Sequence, residues 1–78
     1  MPTVLRVGPY RFFFFSSDRS EPIHVHVERD KLRAKMWLSP LRVAWNRGFS
    51  PSELNRVLLI VRQHNQRIVE EWNHEFGE

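Results

Sequence analysis

Glu21-Pro22-Ile23-His24-Val25-His26-Val27-Glu28-Arg29-Asp30-Lys31-Leu32-Arg33-Ala34-Lys35-Met36-Trp37-Leu38 is the stretch that decides the fold. Successive side chains of an extended chain face opposite sides. Ile23, Val25 and Val27 therefore share one face, and His24, His26 and Glu28 share the other. Beyond Asp30-Lys31, Leu32, Ala34, Met36 and Leu38 oppose Arg33, Lys35 and Trp37 in the same way. Two alternating runs joined by so short a turn predict an antiparallel hairpin. One of its faces is aliphatic and belongs to a core; the other carries imidazoles, cations and an indole.

Upstream, Thr3 to Val7 is a short strand candidate closed by Gly8-Pro9. Tyr10 to Phe15 is a second, with Phe12 and Phe14 facing away from Arg11, Phe13 and Phe15, so both of its faces need cover. Ser16 to Glu21 reads as a loop of turn formers. Downstream, Leu41-Arg42-Val43-Ala44-Trp45 fits a last edge strand or a helical turn, and Asn46-Arg47-Gly48 ends it.

The sharpest local signal follows. In Phe49-Ser50-Pro51-Ser52-Glu53-Leu54, Ser50 is an N-cap, Pro51 the first helical residue, Glu53 the third, and Phe49 with Leu54 a hydrophobic staple. Apolar positions then recur at Leu54, Val57, Leu58, Val61, Ile68, Trp72 and Phe76, which favours one helix from about Pro51 to Phe76. The expected domain spans residues 1–78, with strands over about 3–45 and the helix over about 51–76. It is an α+β fold, a small antiparallel sheet of three or four strands packed on one long C-terminal helix. About 26 helical residues span roughly 39 Å, whereas four strands make a sheet some 15 to 20 Å wide. Either the helix bends near His64-Asn65, or its second half, with Ile68, Val69, Trp72 and Phe76, is covered by a homodimer or a small partner protein.

Composition narrows the function classes. At 78 residues the core is small and association would help it. No cysteine is present, which excludes disulfides and thiolate metal sites. The chain has no signal-peptide pattern and no apolar run of membrane-spanning length, so a cytoplasmic location without membrane contact is expected. Lys and Arg number 12 against 9 Asp and Glu, and all but Lys31 and Lys35 of those cations are Arg. Arg favours phosphate, carboxylate and aromatic planes, so RNA or an acidic protein is a possible partner; a compositional bias toward Arg explains the same count. Neither a glycine-rich phosphate loop nor a nucleophile elbow occurs.

Taken together, Pro2-Thr3-Val4, Tyr10-Arg11-Phe12-Phe13-Phe14-Phe15, Glu21-Pro22-Ile23-His24-Val25-His26-Val27, Ala34-Lys35-Met36-Trp37-Leu38 and Asn46-Arg47-Gly48-Phe49 resemble a bacterial family known as domain of unknown function 4160. The resemblance covers essentially the whole chain. It implies a partner in a toxin–antitoxin-like gene pair, marks His24, His26 and Asn46-Arg47-Gly48 as motif positions, and transfers no catalytic role.

Three functions compete for the His face. The foremost is a binding module, a component of such a pair, that uses Trp37, Asn46, Arg47, Ile68, Trp72 and Phe76 without chemistry. The second is a metal-independent ribonuclease-type toxin, in which His24 and His26 are the acid/base pair and Arg29, Arg33 and Lys35 stabilise the phosphorane. The third is a metal-binding protein. His24 and His26 can both reach a zinc ion, but Glu28 joins only with strain, and His64 and His74 lie on different helical faces. With no third ligand in view, neither a metal nor a cofactor is assigned.

Overall fold

A computed structural model describes residues 3–77; Pro2, part of the Pro-Thr-Val resemblance, and the chain's outermost residues lie outside that range. Five strands form one antiparallel sheet: β1 (Thr3–Val7), β2 (Tyr10–Phe13), β3 (His24–Arg29), β4 (Leu32–Leu38) and β5 (Leu41–Arg47). Their order across the sheet is their order in the chain. A 3-10 turn at Ser16–Ser20 links β2 to β3, and helices α1 (Pro51–Gln63) and α2 (Asn65–Phe76) follow β5.

The hairpin pairs as its alternation requires. His24 lies opposite Trp37, His26 opposite Lys35 and Glu28 opposite Arg33, while Val25 faces Met36 and Val27 faces Ala34. The sheet has five strands rather than three or four because Leu41–Arg47 is extended and pairs with β4 along its length. An irregularity between Lys35 and Met36 takes up Ala44 and keeps Trp45 on the His face and Val43 on the aliphatic one. A similar shift in β1 lets the adjacent Val4 and Leu5 both be buried.

The predicted single long helix is instead two. The break falls at His64, with φ −110° and ψ 19°, whose backbone N–H and ring Nδ1–H both bond to the Ile60 carbonyl. Thirteen and twelve residues, as the two helices contain, are roughly 20 and 18 Å long, close to the width of the sheet. The bend thus brings both halves onto one sheet face. Ile68 is fully buried, Trp72 nearly so, and Phe76 packs beside them on Phe14. These residues belong to the chain's own core, so the length mismatch that suggested a second subunit does not arise. The core cluster joins Phe12, Val25, Val27, Ala34 and Met36 of the sheet to Val57, Ile60, Val61, Ile68 and Trp72 of the helices.

Local chemistry holds the second half in register. The Ser50 hydroxyl accepts the Glu53 amide at 3.2 Å, and Pro51 opens α1 as the N-cap pattern predicts. Asn46 binds both the amide and the carbonyl of Phe49, at 3.1 and 2.9 Å, and so closes the turn into α1. Gly48 makes that turn possible: its φ is +101°, and a Cβ there would sit 2.5 Å from Leu32 Cδ2. No helix among the described residues is long and apolar enough to cross a membrane.

Candidate functional site

The helices cover the aliphatic face, and the opposite face carries the chemistry. By register it bears Arg6, Arg11, Phe13, His24, His26, Glu28, Arg33, Lys35, Trp37, Arg42, Trp45 and Arg47. The 3-10 turn folds over the β2–β3 end of this face and carries Asp18 down onto the two histidines. Asp18, at 6 % exposure, is the buried acid that sequence reading missed. It stands in a polar loop, where nothing in spacing or composition signals burial.

Asp18 Oδ2 accepts the Phe15 amide at 2.8 Å and lies 3.1 Å from His24 Nε2 and 3.2 Å from His26 Nε2. His26 is in line to donate to the carboxylate; His24 is not, and its Nε2 has no hydrogen-bond partner although it is fully buried. The other nitrogen of His24, Nδ1, sits 2.8 Å from the Pro22 carbonyl. A carbonyl only accepts, so Nδ1 carries the proton and, in the neutral ring, Nε2 presents a lone pair to the carboxylate. Burial pushes the His26 imidazole below its ordinary pKa, with the Asp18 carboxylate pulling the other way. An aromatic shell surrounds the trio: Trp37 and Trp72 pack against His24, and Phe13, Phe15 and Trp45 against His26.

The residues expected to act together separate in space. His24 and His26 are adjacent, with ring centroids 5.1 Å apart, but at 0 % and 6 % exposure they lie beneath the surface that a substrate phosphate would touch. Arg29 faces the helix side of the sheet, where it binds Glu53 and Asp30. That pairing, with a hydrogen bond from Tyr10, holds the Glu53 carboxyl below its usual range. Arg33 is half exposed and 3.3 Å from Glu28. Lys35 lies over the Trp37 ring at 4.5 Å and pairs with Glu21, and that bond lowers the Glu21 pKa. Arg47 is exposed with its guanidinium 5.2 Å from the Trp45 ring. Asn46 is committed to its turn, and Ile68, Trp72 and Phe76 to the core.

Two regions therefore share one face: a buried Asp18-His24-His26 cluster under the 3-10 turn, and an uncovered surface of cations and indoles over β4 and β5. Six of the chain's twelve cations, Arg6, Arg11, Arg33, Lys35, Arg42 and Arg47, point from this one face. Arg42 and Arg47 make no ion pair among the described residues, whereas Glu28 serves both Arg11 and Arg33. Trp45, which in sequence fits a core or interface residue closing either an edge strand or a helical turn, is 37 % exposed; the parity that puts it beside Lys35 depends on the irregularity between β4 and β5.

No curated protein and no solved structure matches the chain. A protein family does, over residues 10–73, which takes in the His strand, the β4–β5 hairpin, α1 and most of α2. The chain belongs to the family described as domain of unknown function DUF4160.

Proposed function

We propose that this protein is a non-enzymatic binding module whose open sheet face takes up single-stranded nucleic acid, RNA being the reference ligand. The observation that carries this reading is the collection of half the chain's cations, with Trp37 and Trp45, on the sheet face opposite the aliphatic one on which the helices pack. Cations track a phosphate backbone, and exposed aromatic rings stack on unpaired bases. Arg42 and Arg47 are available for phosphate, and Trp45 for a base. Acid/base cleavage by His24 and His26 has less support, because rings so buried do not meet a substrate that lies on the face. A toxin–antitoxin-like role is compatible with an RNA-binding component. A protein partner would dock on this same face or on the outer edge of β5, since Ile68 and Trp72 are already covered.

The test is fluorescence anisotropy with labelled U12 and A12 oligonucleotides, across a salt series. Binding is expected to weaken with salt at a log–log slope of roughly −0.7 per phosphate neutralised. Trp45→Ala should cost about 1 to 3 kcal/mol, and Arg42→Glu with Arg47→Glu should flatten the salt slope. Equal affinity for poly-glutamate would mean that the face reads charge alone and would favour an acidic protein. No binding at low salt, or binding indifferent to Trp45→Ala, would overturn the proposal.

A further inference from the structure

We propose that Asp18, His24 and His26 form a binding site for one divalent transition-metal ion, with zinc as the reference case. The inference is independent of nucleic-acid binding and rests on the cluster under the 3-10 turn.

Three observations converge. One ligand atom from each of the three residues lies within 4.8 Å of the others, and all three residues are buried. Around a tetrahedral zinc ion, with bonds of about 2.0 to 2.1 Å, ligand atoms stand about 3.3 Å apart. The Asp18 Oδ2 to His24 Nε2 and Asp18 Oδ2 to His26 Nε2 distances of 3.1 and 3.2 Å are close to that spacing.

Such distances also suit hydrogen bonds, and His24 separates the two cases. Its Nδ1–H is spent on the Pro22 carbonyl at 2.8 Å, the arrangement in which a backbone acceptor fixes the tautomer of a metal-ligating histidine. Its Nε2 is fully buried and unpartnered, and a proton placed there finds no acceptor in line despite the nearby carboxylate. A cation placed off the N···O line satisfies that nitrogen and the carboxylate together. With no metal bound and the His24 ring neutral, the cluster holds a nitrogen lone pair against a carboxylate, away from water. That is an unfavourable contact for which packing alone gives no reason.

The donor set, two imidazoles and a carboxylate, is one that zinc and ferrous iron accept and that magnesium and calcium, which prefer all-oxygen shells, do not. Three protein donors leave a position for water. The aromatic shell of Trp37, Trp72, Phe13 and Phe15 keeps the surroundings apolar.

The experiment uses the full chain stripped with EDTA and then titrated with cobalt(II) chloride. One equivalent should give a visible ligand-field absorption that zinc chloride abolishes. Zinc at about 100 times its dissociation constant should raise Tm by roughly 10 °C or more, whereas magnesium and calcium should not. Asp18→Asn should lose both the cobalt absorption and the zinc-dependent Tm rise. A His64→Ala, His74→Ala double variant, lacking the remaining histidines, should keep both. If Asp18→Asn fails to fold, the zinc dependence of wild type still decides. Wild type that is folded yet shows neither signal, a folded Asp18→Asn that binds as wild type does, or loss of binding in the double variant would overturn the proposal.

Discussion

Truncating Ile68 to alanine asks whether α2 is held by its own sheet or by a second chain. Ile68 is fully buried in the cluster that joins α2 to the strands. Removing buried side-chain carbons from such a site costs about 2 to 5 kcal/mol, according to how far the surroundings relax. A chain of this length has a total stability on the order of 4 to 12 kcal/mol, so the loss is a large share of it. At about 4 to 8 °C per kcal/mol, a loss of about 3 kcal/mol lowers Tm by roughly 12 to 24 °C. The assay is thermal unfolding by circular dichroism at two protein concentrations fifty-fold apart, roughly the span that exposes mass action in a dimer. Leu59→Ala, at a site 51 % exposed on α1, is the control and should stay within about 0.5 kcal/mol of wild type. A change under about 1 kcal/mol for Ile68→Ala, or a wild-type Tm that climbs with concentration, would refute the intrachain placement of α2.

Gly48→Ala should destabilise by about 1 to 3 kcal/mol in urea unfolding. The φ of +101° is strained for alanine, and the added methyl carbon meets Leu32 Cδ2 at 2.5 Å. A neutral result would mean that the turn relaxes freely. Glu53 predicts a pH effect. Its pKa in the folded state lies below the ordinary 4.5, chiefly through its hydrogen bond with Arg29. The stability it contributes is therefore full above that value and is lost as pH falls through the depressed folded one. Unfolding midpoints of wild type and Glu53→Gln should differ most near neutrality and converge on acidification below about pH 4.5. A gap that persists into strong acid would mean that Glu53 acts through packing instead.

Alternation and capping chemistry made much of this fold legible, since both are local. His24 pairs with Trp37 and His26 with Lys35 because side-chain parity in a hairpin has only two settings. The same parity puts residue 29 with Val25 and Val27, against the grouping of Arg29 with the His pair as a phosphorane stabiliser, and its partner is Glu53 on the helix side. The bend at His64 was legible only as one of two alternatives: apolar spacing continues through it, and helix length against sheet width allowed either a bend near His64-Asn65 or a second chain over the far half. Nor was β5 legible, because Leu41 to Trp45 suits either an edge strand or a turn of helix until β4 pairs with it. Asp18 was hardest to see. Its burial requires the 3-10 turn to fold across β3, and that is a tertiary outcome of a segment whose residues all favour solvent-exposed turns.

The meander has a consequence for how the chain comes together. Every strand pairs with its neighbour in sequence, so the sheet can assemble from short loop closures of the kind that fold quickly. The apolar surface of β1, however, is covered by α2, from the far end of the described chain. During synthesis β1 must wait, greasy side out, until α2 has left the ribosome. The vulnerable interval therefore spans the translation of every element that lies between them.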